Sequence, residues 1–229
     1  MNNFDFNTFI KPYKEALIKS GETRLNYYEY ALNKLYSLNK PITVIETGTM
    51  WSGLEDNQGA FTLVFADFIK NYTGGKLITI DISEEHMNNC KIFTQKYSDV
   101  IDYIVSDSVT YLESLDIDFV KNIDLVFFDS YDLNLADPLP SEIHHLRELL
   151  AIYNKLSNNV LLAVDDNLMP GHWSEWLILD QDKNVLNTST IIAEKEIIGK
   201  GTLVNRFLLD QGWKRLNDNL PSCLLGYER

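Results

Sequence analysis

Glu46, Asp81, Asp107, Asp129 and the adjacent pair Asp165-Asp166 each stand at or just past the end of a short apolar run. The runs are Ile42–Glu46, Leu77–Asp81, Ile101–Val105 leading on to Asp107, Leu125–Asp129 and Val160–Asp166. Their length and spacing read as five successive strands of one parallel sheet. In an open α/β sheet, ligands bind just beyond the carboxyl ends of the strands. A row of carboxylates gathered there repels itself and raises its own pKa values unless something polar or cationic sits among them. The acids therefore point to a site for a cation, for a hydrogen-bond-donating ligand, or for both.

Around the acids stand residues that help to shape such a site. Glu46-Thr47-Gly48-Thr49-Met50-Trp51-Ser52-Gly53 follows the first run. Glycine at a strand-to-loop junction permits positive φ and close backbone approach, so Gly48, Thr49 and Gly53 are candidate binding positions. The segment is not G-x-G-x-x-G, and it is too long for a tight pyrophosphate turn. Asp81 holds the position from which a carboxylate accepts both hydrogens of a ribose diol, the alternative being a part in capping the next helix with Ser83. Asp107 has the same alternative, as N-cap of a helix from Val109. His172 follows Pro170-Gly171 beside Trp173 and Trp176, in a segment expected to overhang the acid pair. His86, His144 and His145 fall in helical stretches and read as surface or core residues, and Tyr27, Tyr28 and Tyr30 read as core aromatics.

Strands need helices between them if their ends are to meet at one edge. Residues 11–38 carry apolar positions at Leu25, Tyr28, Leu32, Leu35 and Tyr36, close to a 3.6 period, which predicts two helical segments broken near Ser20-Gly21. Gly59 to Tyr72 predicts a helix ended by Gly74-Gly75, and Ser83 opens another to Tyr97, with Glu84 and Glu85 at its positive end. Further helices are expected over Val109–Leu115 and Ser141–Leu156. The alternation of strand and helix argues a doubly wound, mostly parallel α/β sheet with right-handed crossovers. After Pro170-Gly171 the pattern changes: strands are expected at Trp176–Leu179 and Ile191–Ala193, a helix at Thr202–Leu209, and short strands at Trp213–Leu216 and Ser222–Tyr227 that form an antiparallel edge.

Composition narrows the partners. A chain of 229 residues, 45% hydrophobic and 23% charged, reads as one globular domain, with residues 1–40 as a helical cap and 173–198 as an insertion. The net charge of −13 disfavours nucleic acid and anionic membrane surfaces, which leaves a small molecule as the expected partner. Cys90 and Cys223 lack metal-ligand spacing and read as reduced buried thiols. With neither a signal peptide nor an apolar membrane span, the chain is expected in the cytoplasm, where the 173–198 insertion offers a surface for homo-oligomer formation.

Glu46, Gly48, Asp81 and Asp107, taken in order and in strand context, resemble the cofactor site of class I S-adenosylmethionine-dependent methyltransferases. The resemblance covers residues 40–170 and implies that the E-x-G loop holds the methionine portion, Asp81 the ribose and Asp107 the adenine edge. Asp129 and Asp165-Asp166 look like the fourth and fifth strand ends of metal-dependent O-methyltransferases: the catechol group, the macrolide- and aminocoumarin-sugar enzymes and their cephalosporin-hydroxylase-like cousins. That likeness implies an O-methyltransferase acting on a sugar or natural-product hydroxyl, with Mg²⁺ on Asp129, Asp165 and Asp166 and with Asn167 as a rival ligand. Mg²⁺ suits an all-oxygen site that leaves positions for water and substrate. The family's base patterns, a lysine or Asp-x-Asp, do not fit Asp129-Ser130-Tyr131-Asp132, so Asp132 is the first candidate base and His172 the second. Competing readings are a nicotinamide oxidoreductase, against which the missing G-x-G-x-x-G counts, an aminopropyltransferase, and a protein that binds S-adenosylmethionine without catalysis.

Overall fold

Alternate residues of each central strand serve opposite faces of the sheet, and both faces are covered. In this computed structural model, which describes residues 3–19, 24–54, 60–179, 185–216 and 224–229, the strands are β1 (Ile42–Thr47), β2 (Gly75–Asp81), β3 (Ile101–Val105), β4 (Leu125–Phe128) and β5 (Leu161–Val164). Val44, Leu77, Phe127 and Ala163 point into one core layer, whereas Ile45, Ile78, Phe128 and Val164 point into the other. This two-sided burial is why the runs are apolar throughout instead of alternating with polar residues.

The first layer is built by α1 (Phe6–Ile10), α2 (Lys14–Lys19), α3 (Arg24–Ser37) and α4 (Phe61–Phe68). Its centre is aromatic: Phe61 stacks between Phe65 and Phe127 at centroid distances of 4.0 and 3.9 Å. The second layer rests on α6 (Ser108–Ser114), α7 (Ile117–Val120), α8 (Leu139–Ile152) and α9 (Thr202–Asp210). Between β2 and β3 runs α5 (Glu84–Phe93), capped as expected by Ser83, whose Oγ accepts from the His86 N–H at 3.2 Å.

The main sheet continues through two C-terminal strands, β10 (Lys214–Arg215) and β11 (Leu225–Glu228), in the order β10-β11-β5-β4-β1-β2-β3. β1 to β5 are parallel, and β11 runs antiparallel to β5, as the sequence predicts. Order reverses between β1 and β4, which makes their carboxyl ends the crevice in this topology. Two ribbons lie outside the main sheet: β6 (Asn167–Leu168) with β9 (Ile198–Gly199), and the hairpin β7 (Trp173–Leu179) with β8 (Val185–Ile192).

Several boundaries differ from the sequence reading. The hairpin strands are longer than expected, because polar Asn187-Thr188-Ser189-Thr190 continue the pairing. α8 begins at Leu139, ahead of Ser141, with Pro140 in its first turn, where a missing N–H costs nothing, and it gives way to a tighter turn at Tyr153–Lys155. α4 passes into a wider turn at Ile69–Thr73 before Gly74. α7 was not expected; Asp116 caps it by accepting from the Phe119 N–H. The Ser20-Gly21 break, the 180–184 turn and Cys223 lie outside the described residues, whereas Cys90 is a buried free thiol. Among the described residues no helix is long and apolar enough to cross a membrane.

Gly75 starts β2 with φ +107°, and a Cβ there would lie 1.9 Å from the Ile42 carbonyl oxygen across the β1–β2 ladder. Gly75→Ala is expected to cost at least ~2 kcal/mol, a fall in melting temperature of roughly 5 °C or more by thermal denaturation.

Candidate active site

Glu46 sits in β1, where neighbouring residues on both faces are buried, and is itself 3% exposed. Its carboxylate accepts from the Thr62 hydroxyl, at 2.9 Å to Oε1 and 2.8 Å to Oε2. Burial pushes its pKa up to about 8; hydrogen bonds from Thr62 and Thr79 oppose that, and the charges of Asp129 and Asp81 add to it. Two residues on, Gly48 has φ +79° and donates its N–H to the Ile80 carbonyl at 2.8 Å. A Cβ at Gly48 would lie 2.4 Å from the Asp129 backbone oxygen, so only glycine lets the β1 loop close against the end of β4. Thr49 accepts from the Thr79 hydroxyl at 2.9 Å.

At the end of β2, Asp81 Oδ1 accepts from the Ser83 N–H at 2.7 Å, and Oδ2 lies 3.6 Å from His86 Nδ1. The His86 ring stacks on Trp51 at 5.3 Å. Both aromatic rings join the cavity wall, a place the sequence reading did not give them. The legible signal was position: Trp51 lies in the glycine loop after β1, and His86 lies in the first turn of the helix after Asp81. Asp107 is placed elsewhere. Its Oδ1 accepts from the Thr110 N–H and hydroxyl, each at 2.8 Å, which caps α6, holds its pKa low and leaves it out of the cavity wall. Gly53 is also outside that wall, next to the Phe93 ring.

Asp129, Asp165 and Asp166 do converge, and they converge on two cations. Lys200 Nζ lies 2.5 Å from Asp129 Oδ1 and 3.0 Å from Asp166 Oδ2, with its side chain 3% exposed. Arg24, from α3, places a guanidinium nitrogen 2.8 Å from Asp165 Oδ1 and 3.3 Å from Asp166 Oδ1. Asp165 Oδ1 also accepts from the Asp166 N–H at 2.8 Å. Burial alone would lower the Lys200 pKa, but the charges of Asp129 and Asp166 reverse this and hold it above the usual lysine range. Burial raises Asp129 against the opposing charge of Lys200, and it raises Asp165 against that of Arg24. For Asp166 the two cations outweigh burial and lower it.

This arrangement bears directly on the expected Mg²⁺ ligands. The acids are present, but their inward oxygens already bond an ammonium and a guanidinium. A divalent ion about 4 Å from Lys200 would meet a repulsion of roughly 8 kcal/mol at an effective dielectric of ~20. Among the described residues no group of three or more His, Cys, Asp or Glu side chains is arranged to hold a metal ion. The residues present do not fit the metal. Asn167, the rival ligand, spends its amide on structure: it donates to the Val164 and Asp165 carbonyls and accepts from the Gly201 N–H at 2.7 Å.

Behind the acids lies a second polar cluster that the sequence reading passed over. Glu148 of α8 is fully buried, and its Oε1 accepts from the Ser130 hydroxyl at 2.7 Å and lies 3.5 Å from His144 Nε2. His144 also meets the Ser108 hydroxyl at 3.1 Å. Burial lowers the pKa of His145 to about 4, which keeps it neutral, with Nδ1 against the Ser141 carbonyl. The cluster pins Ser130, next to Asp129. Its signal in the sequence was the helical spacing of Ser141, His144, His145 and Glu148.

Together these strand ends enclose a cavity of about 810 Å³. Its carboxylates are Glu46, Asp81, Asp129, Asp132, Asp165 and Asp166, and its cations are Arg24 and Lys200, each bound to an acid. Asp132 reaches the wall, whereas His172 lies exposed on the turn before β7 and does not. Tyr27 and Tyr28 are buried in the core as expected, and Tyr30 donates to Glu228 at 2.6 Å.

Residues 56–167 match the family model described as a methyltransferase domain. Among solved structures, the chain is similar to a TDP-rhamnose 3'-O-methyltransferase of calicheamicin biosynthesis, with 12% identity over 90% of this chain and 78% of that one and a TM-score of 0.53. A methyltransferase from Geobacter sulfurreducens matches at 14% identity over 86% of this chain and 77% of that one, with a TM-score of 0.48. An rRNA methylase from Streptococcus thermophilus matches at 14% identity over 88% and 96%, with a TM-score of 0.47. No curated protein matches the chain. The family match and the likeness in fold both agree with the resemblance to class I S-adenosylmethionine-dependent methyltransferases: residues 56–167 match a methyltransferase domain, and the sheet has the Rossmann-like methyltransferase fold.

The raised Glu46 pKa carries a stability consequence. Its folded value of about 8 exceeds its ordinary 4.5, so the native state binds more protons between these limits and stability falls as pH rises through them. Glu46→Gln, which keeps the acceptor for Thr62, is expected to flatten the loss of stability between pH 6 and 8.5 in denaturant titrations. An unchanged slope would assign the loss to the other buried acids.

Proposed function

We propose that this chain methylates a hydroxyl of a small, uncharged molecule, with S-adenosylmethionine as donor. The charge of the cavity is the observation that carries this reading. Its carboxylates outnumber its cations, and both cations are already paired, so among the described wall residues no positive group is left for a phosphate. A pyrophosphate-bearing nicotinamide cofactor suits such a wall poorly, whereas a sulfonium cation suits it well.

In this reading Glu46 takes the amino group of the methionine portion, with the backbone at Gly48 and Thr49 beside it. Asp81 accepts from the ribose diol with the oxygen that Ser83 leaves open. Trp51 and His86 flank the same end of the cavity, a place that Asp107 was expected to serve. Bound there, S-adenosylmethionine supplies a methyl group on positively charged sulfur, ready for in-line displacement. The protein's part is to hold an acceptor hydroxyl on that line, keep water out and take up the hydroxyl proton. Asp132, at the wall and outside the Lys200 ion pair, is the base we assign. Lys200 and Arg24 hold the three carboxylates that the likeness to metal-dependent enzymes would assign to Mg²⁺, so no step of this reading needs the metal. A sugar or natural-product hydroxyl remains the acceptor class.

Calorimetric titration tests the reading. S-adenosylmethionine and S-adenosylhomocysteine should both bind, and Asp81→Ala should weaken both by at least ~10-fold, the value of ~1.5 kcal/mol for a charged hydrogen bond. If neither ligand bound the wild type, the proposal would be lost.

A further inference from the structure

We infer that the Lys200 ammonium, braced by Arg24, stands in for a divalent cation, so that this site works without a bound metal. The inference rests on the reading above but concerns a different residue set. Lys200 bridges the ends of β4 and β5 through Asp129 Oδ1 at 2.5 Å and Asp166 Oδ2 at 3.0 Å. Those are the strand ends a shared metal would have to join.

Lys200 is no surface lysine that has swung inward. β6 and β9 pair Asn167 with Gly199, the Lys200 N–H donates to the Asp166 carbonyl at 3.2 Å, and the Gly201 N–H donates to Asn167 Oδ1 at 2.7 Å. The backbone is thus fixed on both sides of Lys200 against the chain that carries Asp165 and Asp166. Asp166 itself takes φ +51°, a conformation that non-glycine residues adopt rarely. The same ribbon holds acid and base in register, and the side chain between them is 3% exposed.

Charge counting agrees with the geometry. Counted as fully ionised, three carboxylates face two cations, a formal charge of one negative for the cluster. A divalent ion added to the cluster would make it net positive beside a sulfonium donor, opposing the ligand the rest of the cavity attracts. With Lys200 in place the acids are held together and the residual charge keeps the sign that suits the donor. Lys200 is thus a positioning residue: it orients Asp129 and Asp166 and does the neutralising that a metal would otherwise do.

The test is direct binding of Mn²⁺, followed by electron paramagnetic resonance on the full chain, with and without S-adenosylmethionine. The wild type is expected to show no stoichiometric Mn²⁺ binding at millimolar metal, and chelator treatment should leave its affinity for S-adenosylmethionine unchanged. Lys200→Met removes the charge but keeps the stem, and should raise Mn²⁺ affinity by at least ~10-fold. Stoichiometric Mn²⁺ binding by the wild type, abolished in Asp129→Asn, would overturn the inference. So would a folded Lys200→Met protein with no gain in Mn²⁺ affinity. Should Lys200→Met not fold, the wild-type titration decides alone, with Lys200→Arg expected to fold and to remain metal-free. A wild type that ignores both Mn²⁺ and S-adenosylmethionine would sink the methyltransferase reading while leaving the cation assignment standing.

Discussion

Repulsion among carboxylates at the ends of parallel strands is the constraint around which this molecule is built. Asp129, Asp165 and Asp166 end neighbouring strands and face one crevice, a costly arrangement around the buried Asp165 carboxylate. Arg24 and Lys200 relieve it, and each comes from a segment outside the parallel core. α3 brings the guanidinium, and the short β6–β9 ribbon brings the ammonium. Buried ion pairs add little net stability when intact, yet removing one partner leaves an uncompensated charge that is strongly destabilising. The helical cap and the ribbon are therefore tied to the site electrostatically as well as by packing.

The other half of the cavity solves the same problem differently. Among the described residues Glu46 has no cationic partner; it has Thr62, burial and a pKa pushed to about 8. A carboxyl held near neutrality can meet an amine without the desolvation cost of a permanent charge. Asp81 gives one oxygen to Ser83 and keeps the other toward the cavity and His86. Between the halves, Gly48 passes so close to Asp129 that the loop after β1 and the end of β4 form one wall. Ser130, on the far side of Asp129, is pinned by Glu148 from α8. Asp129 is thus braced from three directions: by the glycine loop, by the α8 cluster and by Lys200.

Much of this was readable in the sequence because it is local. The five strands, their acidic ends, the Ser83 cap, the antiparallel edge and the cap alternative for Asp107 each depend on residues a few positions apart. What escaped depends on pairs far apart in the chain. Arg24 lies 141 residues from Asp165, and Lys200 lies 71 from Asp129. Neither carries a local signal beyond a basic residue near glycines, so the spacing of the acids alone points to a metal as the neutralising charge. Trp51 and His86 escaped for another reason: each has an ordinary packing role that spacing alone cannot distinguish from a place in a wall. Asn167 misled in the opposite sense, since its position beside two acids suggests a ligand, whereas its amide closes the turn to Gly201.

The connectivity gives the ribbon a further significance. Chain leaving β6 enters the β7–β8 hairpin and returns through β9 straight to Lys200. The base of the hairpin is closed by the Gly171 N–H to the Ala193 carbonyl and by the Ala193 N–H to the His172 carbonyl, at 2.6 and 3.0 Å. A long, separate hairpin is therefore planted on the short element that sets the position of the cation. A metal would have answered only to its ligands, whereas a lysine answers to the backbone on either side of it. Replacing an ion by a side chain thus links the geometry of the acid cluster to an appendage outside the main sheet. That linkage follows from topology, because the chain between Leu168 and Ile198, which pair directly in the ribbon, is the chain that carries the β7–β8 hairpin.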